Sequence, residues 1–294
     1  EGGAHTPCER APCADNPGDG IVTVEATVTI RTALVSDVAA CARYFEFYGA
    51  AADKVHGEVI PFLNGYNVQV QRDPYGIVGA IIPWNYPAQM FGRTVAPALA
   101  MGNAAVVKPA EDACLTPLRL AELAAEAGFP EGAVNVVPGL GEEAGAALSS
   151  HPGIDFISFT GSPEVGTLIQ TAAARNHIGC TLELGGKSPH VVFGDADLEA
   201  AVPTIANTMV QNAGQTCSAG SRVLVERGAY DRVVSSLAER FGALAAGTAA
   251  DVGGDDADVA LGQVEQLVAR DGGHRQGLGG AVGRVHAGAP VEQA

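Results

Sequence analysis

Apolar residues recur along this chain with two periods, and the switch between them marks out its elements. From Val35 to Ala51, Val38, Cys41, Tyr44, Phe45 and Tyr48 fall three and four apart, the spacing that lines one side of a helix. Val59 to Phe62 and Tyr66 to Gln71 read as short strands, and Asn64-Gly65 between them is a dipeptide favoured in tight hairpin turns. Strand-like and helix-like runs then alternate: strand Gly76 to Ile82, helix Pro87 to Ala100, strand Ala104 to Val107, helix Thr116 to Ala127, and further strands at Val134 to Val137 and Phe156 to Phe159. Another helix is expected from Asp197 to Asn212. Such repetition predicts an α/β fold with a mainly parallel sheet covered by helices on both faces, and ligands bound at the carboxyl ends of its strands.

Length and charge narrow the picture. With 294 residues, 47% of them hydrophobic and 17% charged, the chain is globular and too long for one core, so two domains are expected. A formal net charge of -16 argues against nucleic acid and anionic membrane as partners, because both repel it, and points to a small molecule instead. The apolar runs are short and broken by Gly and Pro, so no membrane span is expected. Six cysteines spread over the chain suit reduced thiols in a cytoplasmic protein, and their spacing with the histidines offers no metal site. The absence of an initiator Met and of a signal-peptide core reads as a trimmed start. Residues 1–30, rich in Gly, Pro, Ala and Asp, read as an irregular lead, and the Gly-, Ala- and Asp-rich tail from Gly247 on as poorly periodic.

The chemistry sits where strands end. Pro83-Trp84-Asn85-Tyr86-Pro87 fixes a backbone between two prolines, so that the Asn85 amide can be held as a donor to a developing oxyanion; alone, the same pentapeptide reads as a turn with a buried Trp. Lys108-Pro109-Ala110-Glu111 places a cation and an acid three apart, able to bond a ribose and to repel a 2′-phosphate; alone it reads as a salt-bridged loop. In Phe159-Thr160-Gly161-Ser162-Pro163-Glu164-Val165-Gly166, Gly161 allows close approach of the backbone and Ser162 can cap a helix whose N-terminus faces a pyrophosphate. Gly139-Leu140-Gly141-Glu142-Glu143-Ala144-Gly145 departs from the dinucleotide fingerprint by one residue and two acids, and reads as a tight turn into a helix with at most a side contact to a cofactor. Leu182-Glu183-Leu184-Gly185-Gly186-Lys187 offers a carboxylate beside a Gly-Gly turn. Gly214-Gln215-Thr216-Cys217 offers a thiol in polar surroundings, whereas Cys41, Cys114 and Cys180 lie among helical or strand-like residues and read as small buried side chains.

These five motifs, Pro83-Trp84-Asn85, Lys108 to Glu111, Phe159 to Ser162, Leu182 to Lys187 and Gly214 to Cys217, in this order and spacing, resemble the NAD(P)-dependent aldehyde dehydrogenase superfamily, and the likeness runs from about Phe45 to about Arg240. The resemblance implies a Rossmann-like dinucleotide-binding domain over residues 31–186 and part of a second α/β catalytic domain over 187–294. It implies Cys217 as the nucleophile, Asn85 with the Cys217 backbone N–H as the oxyanion hole, and Glu183 as the base. It also implies Lys108 and Glu111 as the ribose clamp, Gly161, Ser162 and Gly166 as the pyrophosphate turn, and Trp84 and Leu184 as walls beside the cofactor. NAD is the expected cofactor, with NADP as the alternative, and an aldehyde the expected substrate. Full-length relatives are dimers or tetramers. They continue past this chain through the rest of the catalytic domain, a Glu-x-Phe-Gly-Pro segment and an oligomerising hairpin, so the alternative reading is a truncated fragment that binds dinucleotide without catalysis.

Overall fold

The computed structural model describes residues 36–244 and three short strand segments, 266–267, 270–271 and 274–275. The expected irregular lead and most of the tail from Gly247 lie outside the described residues. The chain divides into two compact units after Gly185.

The first unit opens with helix α1 (Val38–Ala51) and a two-stranded antiparallel pair, β1 (Glu58–Ile60) with β2 (Val68–Val70). The hairpin differs from the expected tight turn. Its strands are three residues each, and Asn64-Gly65 sits inside a longer connection, closed by the Tyr66 N–H donating to the Leu63 carbonyl at 3.2 Å. Only Gly65 of the dipeptide has positive φ (87°), whereas the tight hairpin turn expected of Asn-Gly needs it at both central residues.

Five parallel strands follow: β3 (Ile77–Ile81), β4 (Ala104–Lys108), β5 (Val134–Val136), β6 (Phe156–Gly161) and β7 (Gly179–Leu184). Their order across the sheet is β5-β4-β3-β6-β7. Helices α2 (Pro87–Ala100), α3 (Leu115–Glu126), α4 (Ala146–Ser150) and α5 (Pro163–Arg175) connect them, so the α/β sheet expected from the alternation is present. The period of two along β3 sorts its side chains to opposite faces. Ala80 and Ile82 pack with Phe91 and Val95 of α2, and Ile81 with Ile157, Phe159 and Ile169 of β6 and α5. Phe91 is 1% exposed, and burying a side chain of that size contributes about 1.5–3 kcal/mol.

Polar groups pin the amino ends of the strands. Buried Asn103 accepts from the Gly76 N–H (2.9 Å) and donates to the Ala98 carbonyl (3.1 Å), and Asp155 accepts from the Ile77 N–H (2.8 Å). The carboxyl ends are left to the loops that carry the candidate chemistry.

In the second unit, β8 (Pro189–Val192) pairs in parallel with β9 (Arg222–Val225), which in turn pairs with β10 (Gln266–Leu267). Helices α6 (Leu198–Val210) and α7 (Tyr230–Gly242) cover them around Val192, Ile205, Val223, Val233 and Leu237. Strands β11 (Arg270–Asp271) and β12 (His274–Arg275) form a separate antiparallel pair.

Candidate active site

The strand order fixes where a ligand belongs. From β3 the chain moves outward to β4 and β5, then returns to the other side of β3 for β6 and β7. The order therefore reverses between β3 and β6, and the crevice at their carboxyl ends is where open α/β sheets bind ligands. The turn Pro83–Pro87 leaves β3 there, and Gly161-Ser162 ends β6 there.

On the β3 side, the Ile82 N–H donates to the Lys108 carbonyl (3.1 Å) and prolongs the ladder to the edge of the turn. Trp84 is 38% exposed, which corrects the reading of this segment as a turn around a buried Trp. Asn85 is half-buried. Helix α2 starts at Pro87, behind an N-cap residue, Tyr86, whose side chain makes no cap bond. The carboxylate of Asp37 supplies the cap instead: Oδ2 accepts from Ala88 N–H (2.9 Å) and Oδ1 from Gln89 N–H (2.8 Å).

At the end of β4, Lys108 is 3% exposed and its Nζ donates to Glu111 Oε2 at 2.8 Å. The other oxygen of Glu111 accepts from the Gly141 N–H (3.2 Å), so the Gly139–Gly145 turn meets the site through Gly141. Burial alone would push the Glu111 carboxyl up, but the Lys108 hydrogen bond, backbone N–H groups and the Lys108 charge together hold it below its ordinary value.

Beyond β6, Ser162 caps α5, its Oγ accepting from Val165 N–H at 3.3 Å, with Pro163 in the first turn, where no N–H is needed. In the register of β6 with β7, Thr160 lies beside Glu183 and Gly161 beside Leu184. Gly166 answers to Leu184, because a Cβ there would stand 2.7 Å from Leu184 Cδ2. Glu183 is ion-paired with Arg93 of α2, Oε1 to Nη2 at 3.0 Å.

The first unit thus carries Trp84, Asn85, Lys108, Glu111, Gly161, Ser162, Glu183 and Leu184 at the carboxyl ends of β3, β4, β6 and β7, with Gly166 one turn into α5. Cys217 belongs to the second unit, in the exposed turn between a short 3-10 segment (Gln211–Gly214) and β9. Its flanking glycines have local causes: Gly214 has φ 79°, and a Cβ on Gly220 would collide with the ring of His190, which bonds Thr208 Oγ1 at 2.9 Å. Cys41 is buried, and burial first, then the Asp37 charge, push its thiol up to about 11. Cys41, Cys180 and Cys217 are free thiols.

Two residues of this site escaped the sequence reading. Asp37 stands at the start of α1, where an acid is expected to cap its own helix, yet it makes no such bond. Arg93 lies on the helix that follows Asn85 and reaches Glu183 from far away in sequence. Among the described residues no cluster of three His, Cys, Asp or Glu could hold a metal ion, and no helix is long and apolar enough to cross a membrane.

The aldehyde dehydrogenase family model matches residues 19–276, and the chain belongs to that family. It is 48% identical over 205 residues to human retinal dehydrogenase 2, an alignment covering 69% of this chain and 40% of that protein. It is 48% identical over 209 residues to mouse aldehyde dehydrogenase 1A1, covering 71% and 42%. Among solved structures, the NAD+ complex of aldehyde dehydrogenase from Bacillus cereus is similar at a TM-score of 0.73 and 40% identity, with 77% of this chain and 47% of that chain covered. The chain therefore spans less than half the length of these relatives.

Proposed function

We propose that this chain oxidises an aldehyde to a carboxylic acid, with NAD as hydride acceptor. What supports the proposal is that the Asn85 amide, the Lys108–Glu111 pair and the Glu183 carboxylate all lie at or just beyond the carboxyl ends of β3, β4 and β7 in one sheet whose order reverses between β3 and β6. Family membership and the NAD+-bound B. cereus relative support the same reading.

The residues fit the cofactor. The buried Lys108 ammonium spends one of its three N–H donors on Glu111, so the pair offers a donor and an acceptor to a ribose diol. The Glu111 carboxylate disfavours a 2′-phosphate, hence NAD over NADP. Ser162 and the start of α5 would face the pyrophosphate, and Trp84 and Leu184 would flank the nicotinamide end. When bound, the dinucleotide supplies the hydride acceptor.

The chain's own residues do the rest. The Cys217 thiolate adds to the aldehyde carbon, forming a C–S bond and an oxyanion that the Asn85 amide and the Cys217 backbone N–H stabilise. Collapse of that oxyanion expels hydride from the same carbon and leaves a thioester. Glu183 takes a proton from water as its oxygen attacks the thioester carbon; the C–S bond breaks, and carboxylic acid and thiolate are released. Arg93 occupies Glu183 Oε1 in the present arrangement, so Oε2 is the oxygen offered to that water.

Nicotinamide reduction, followed by absorbance with NAD and a panel of aliphatic, aromatic and amino-aldehydes, tests the proposal. Turnover is expected, and Cys217→Ala should abolish it; activity retained in that variant rules out the thiol mechanism. Cofactor-dependent thermal stabilisation without turnover would instead favour a dinucleotide-binding chain that does not catalyse.

A further inference from the structure

We propose that Asp37 is a positioning residue for the oxyanion donor: it clamps the start of α2 and thereby fixes the Trp84-Asn85 turn at the carboxyl end of β3. The inference rests on reading Asn85 as that donor. The first turn of any helix has N–H groups without partners inside the helix. In α2, Pro87 has no N–H, Tyr86 gives no cap, and the next two N–H groups both end on Asp37. Asp37 is 1% exposed, and a carboxylate buried so deeply must be hydrogen-bonded to persist. Its two N–H bonds meet that need, and its negative charge lies at the positive end of the α2 dipole.

The clamp is backed by packing. A Cβ on Gly92 would stand 2.9 Å from Cys41 Cα and Sγ, so glycine lets α1 and α2 approach closely one turn beyond the cap. The rings of Phe45 and Phe91 lie 6.5 Å apart just beyond that approach. Helix α1 is thus a fixed platform, and Asp37 is the point at which it grips Ala88 and Gln89, three and four residues after Asn85. With these α2 N–H groups consumed, none of Pro87, Ala88 and Gln89 is left to hold an oxyanion.

Trp84 is the only tryptophan in the chain and sits beside Asn85, so its fluorescence reports the turn directly and needs no turnover. The 294-residue chain is compared with Asp37→Ala, Asp37→Asn and, as a core control on α5, Ile169→Val, each checked for a cooperative urea transition. In Asp37→Ala, Trp84 emission should shift to longer wavelength and its quenching by acrylamide should rise. Asp37→Asn keeps one acceptor oxygen and should fall between Asp37→Ala and wild type, and Ile169→Val should match wild type. If Asp37→Ala does not fold, Asp37→Asn decides. Wild-type emission and quenching in the folded Asp37 variants, or an equal change in Ile169→Val, overturns the proposal. Where the wild type turns over, Asp37→Asn should lower kcat about tenfold with the KM for NAD little changed, because a loosened donor loses part of the hundredfold or more that an oxyanion donor contributes. A wild type that binds but does not turn over would remove the oxidation reading and leave the Trp84 result standing on its own.

Discussion

Two helices begin at the edge of the same crevice, and they are capped in opposite ways. Helix α5 is capped from within, by Ser162 directly before it. Helix α2 is capped from outside, by Asp37, separated from Ala88 by 51 positions. Both devices satisfy orphan N–H groups, but the first ties a helix to its own loop and the second ties it to another helix. The local cap makes the start of α5 self-contained, whereas the distant cap ties the start of α2, just after Asn85, to α1.

The sharpest way to break this comparison is to remove each cap. Asp37→Ala strips one buried and one part-buried N–H of their acceptor and should cost about 3 kcal/mol, from the lost cap together with the unpaired donors. Ser162→Ala removes one exposed cap bond and should cost only about 1 kcal/mol. Urea midpoints of the two variants measure the difference, and equal losses would show that the distant cap carries no more than the local one.

A smaller effect on stability separates packing from capping on the α5 side. Gly166→Ala gains about 1 kcal/mol of helix propensity. The new Cβ meets the flexible end of Leu184 at 2.7 Å, and such overpacking costs about 1–3 kcal/mol. The two nearly offset, so the urea midpoint should move little while Leu184 is displaced and NAD binding, read by titration of Trp84 fluorescence, weakens. An unchanged affinity would remove Leu184 from the cofactor wall.

The same contrast explains what could be read from the sequence. The strands and helices of the first unit are set by short-range periodicity, and helix Pro87–Ala100 and the start of β4 at Ala104 fall where the pattern puts them. The Ser162 cap was legible because donor and acceptor are three residues apart. Asp37 was not, because its residue type and place argue for a local cap, and only the packing of α1 against α2 turns its carboxylate outward. The Arg93–Glu183 pair joins a helix to a strand end across the sheet, and no spacing rule connects them. The Asn64-Gly65 hairpin is present as an antiparallel pair, but its strands stop short of the dipeptide, which lies inside a longer connection.

The last prediction concerns acid, where two carboxylates tied to α1–α2 and to the β4 loop pull in opposite directions. Glu111 sits below its ordinary 4.5 because, although burial raises it, the bonds and charge from Lys108 and backbone N–H groups prevail. As pH falls below about 4.5 the unfolded chain takes up a proton that the folded chain refuses, so the stability contributed by Glu111 is present above that value and drains away as pH drops through the folded pKa. Asp37 is raised above its ordinary 3.8, burial outweighing the Gln89 and Ala88 N–H bonds, so its sign is reversed: its contribution is full below about 3.8 and is lost as pH rises through the folded value. Urea midpoints from about pH 6 down to pH 3 separate the two. Relative to wild type, Glu111→Gln should flatten the loss of stability toward acid and Asp37→Asn should steepen it. Parallel curves for all three proteins would mean that neither carboxylate titrates differently on folding.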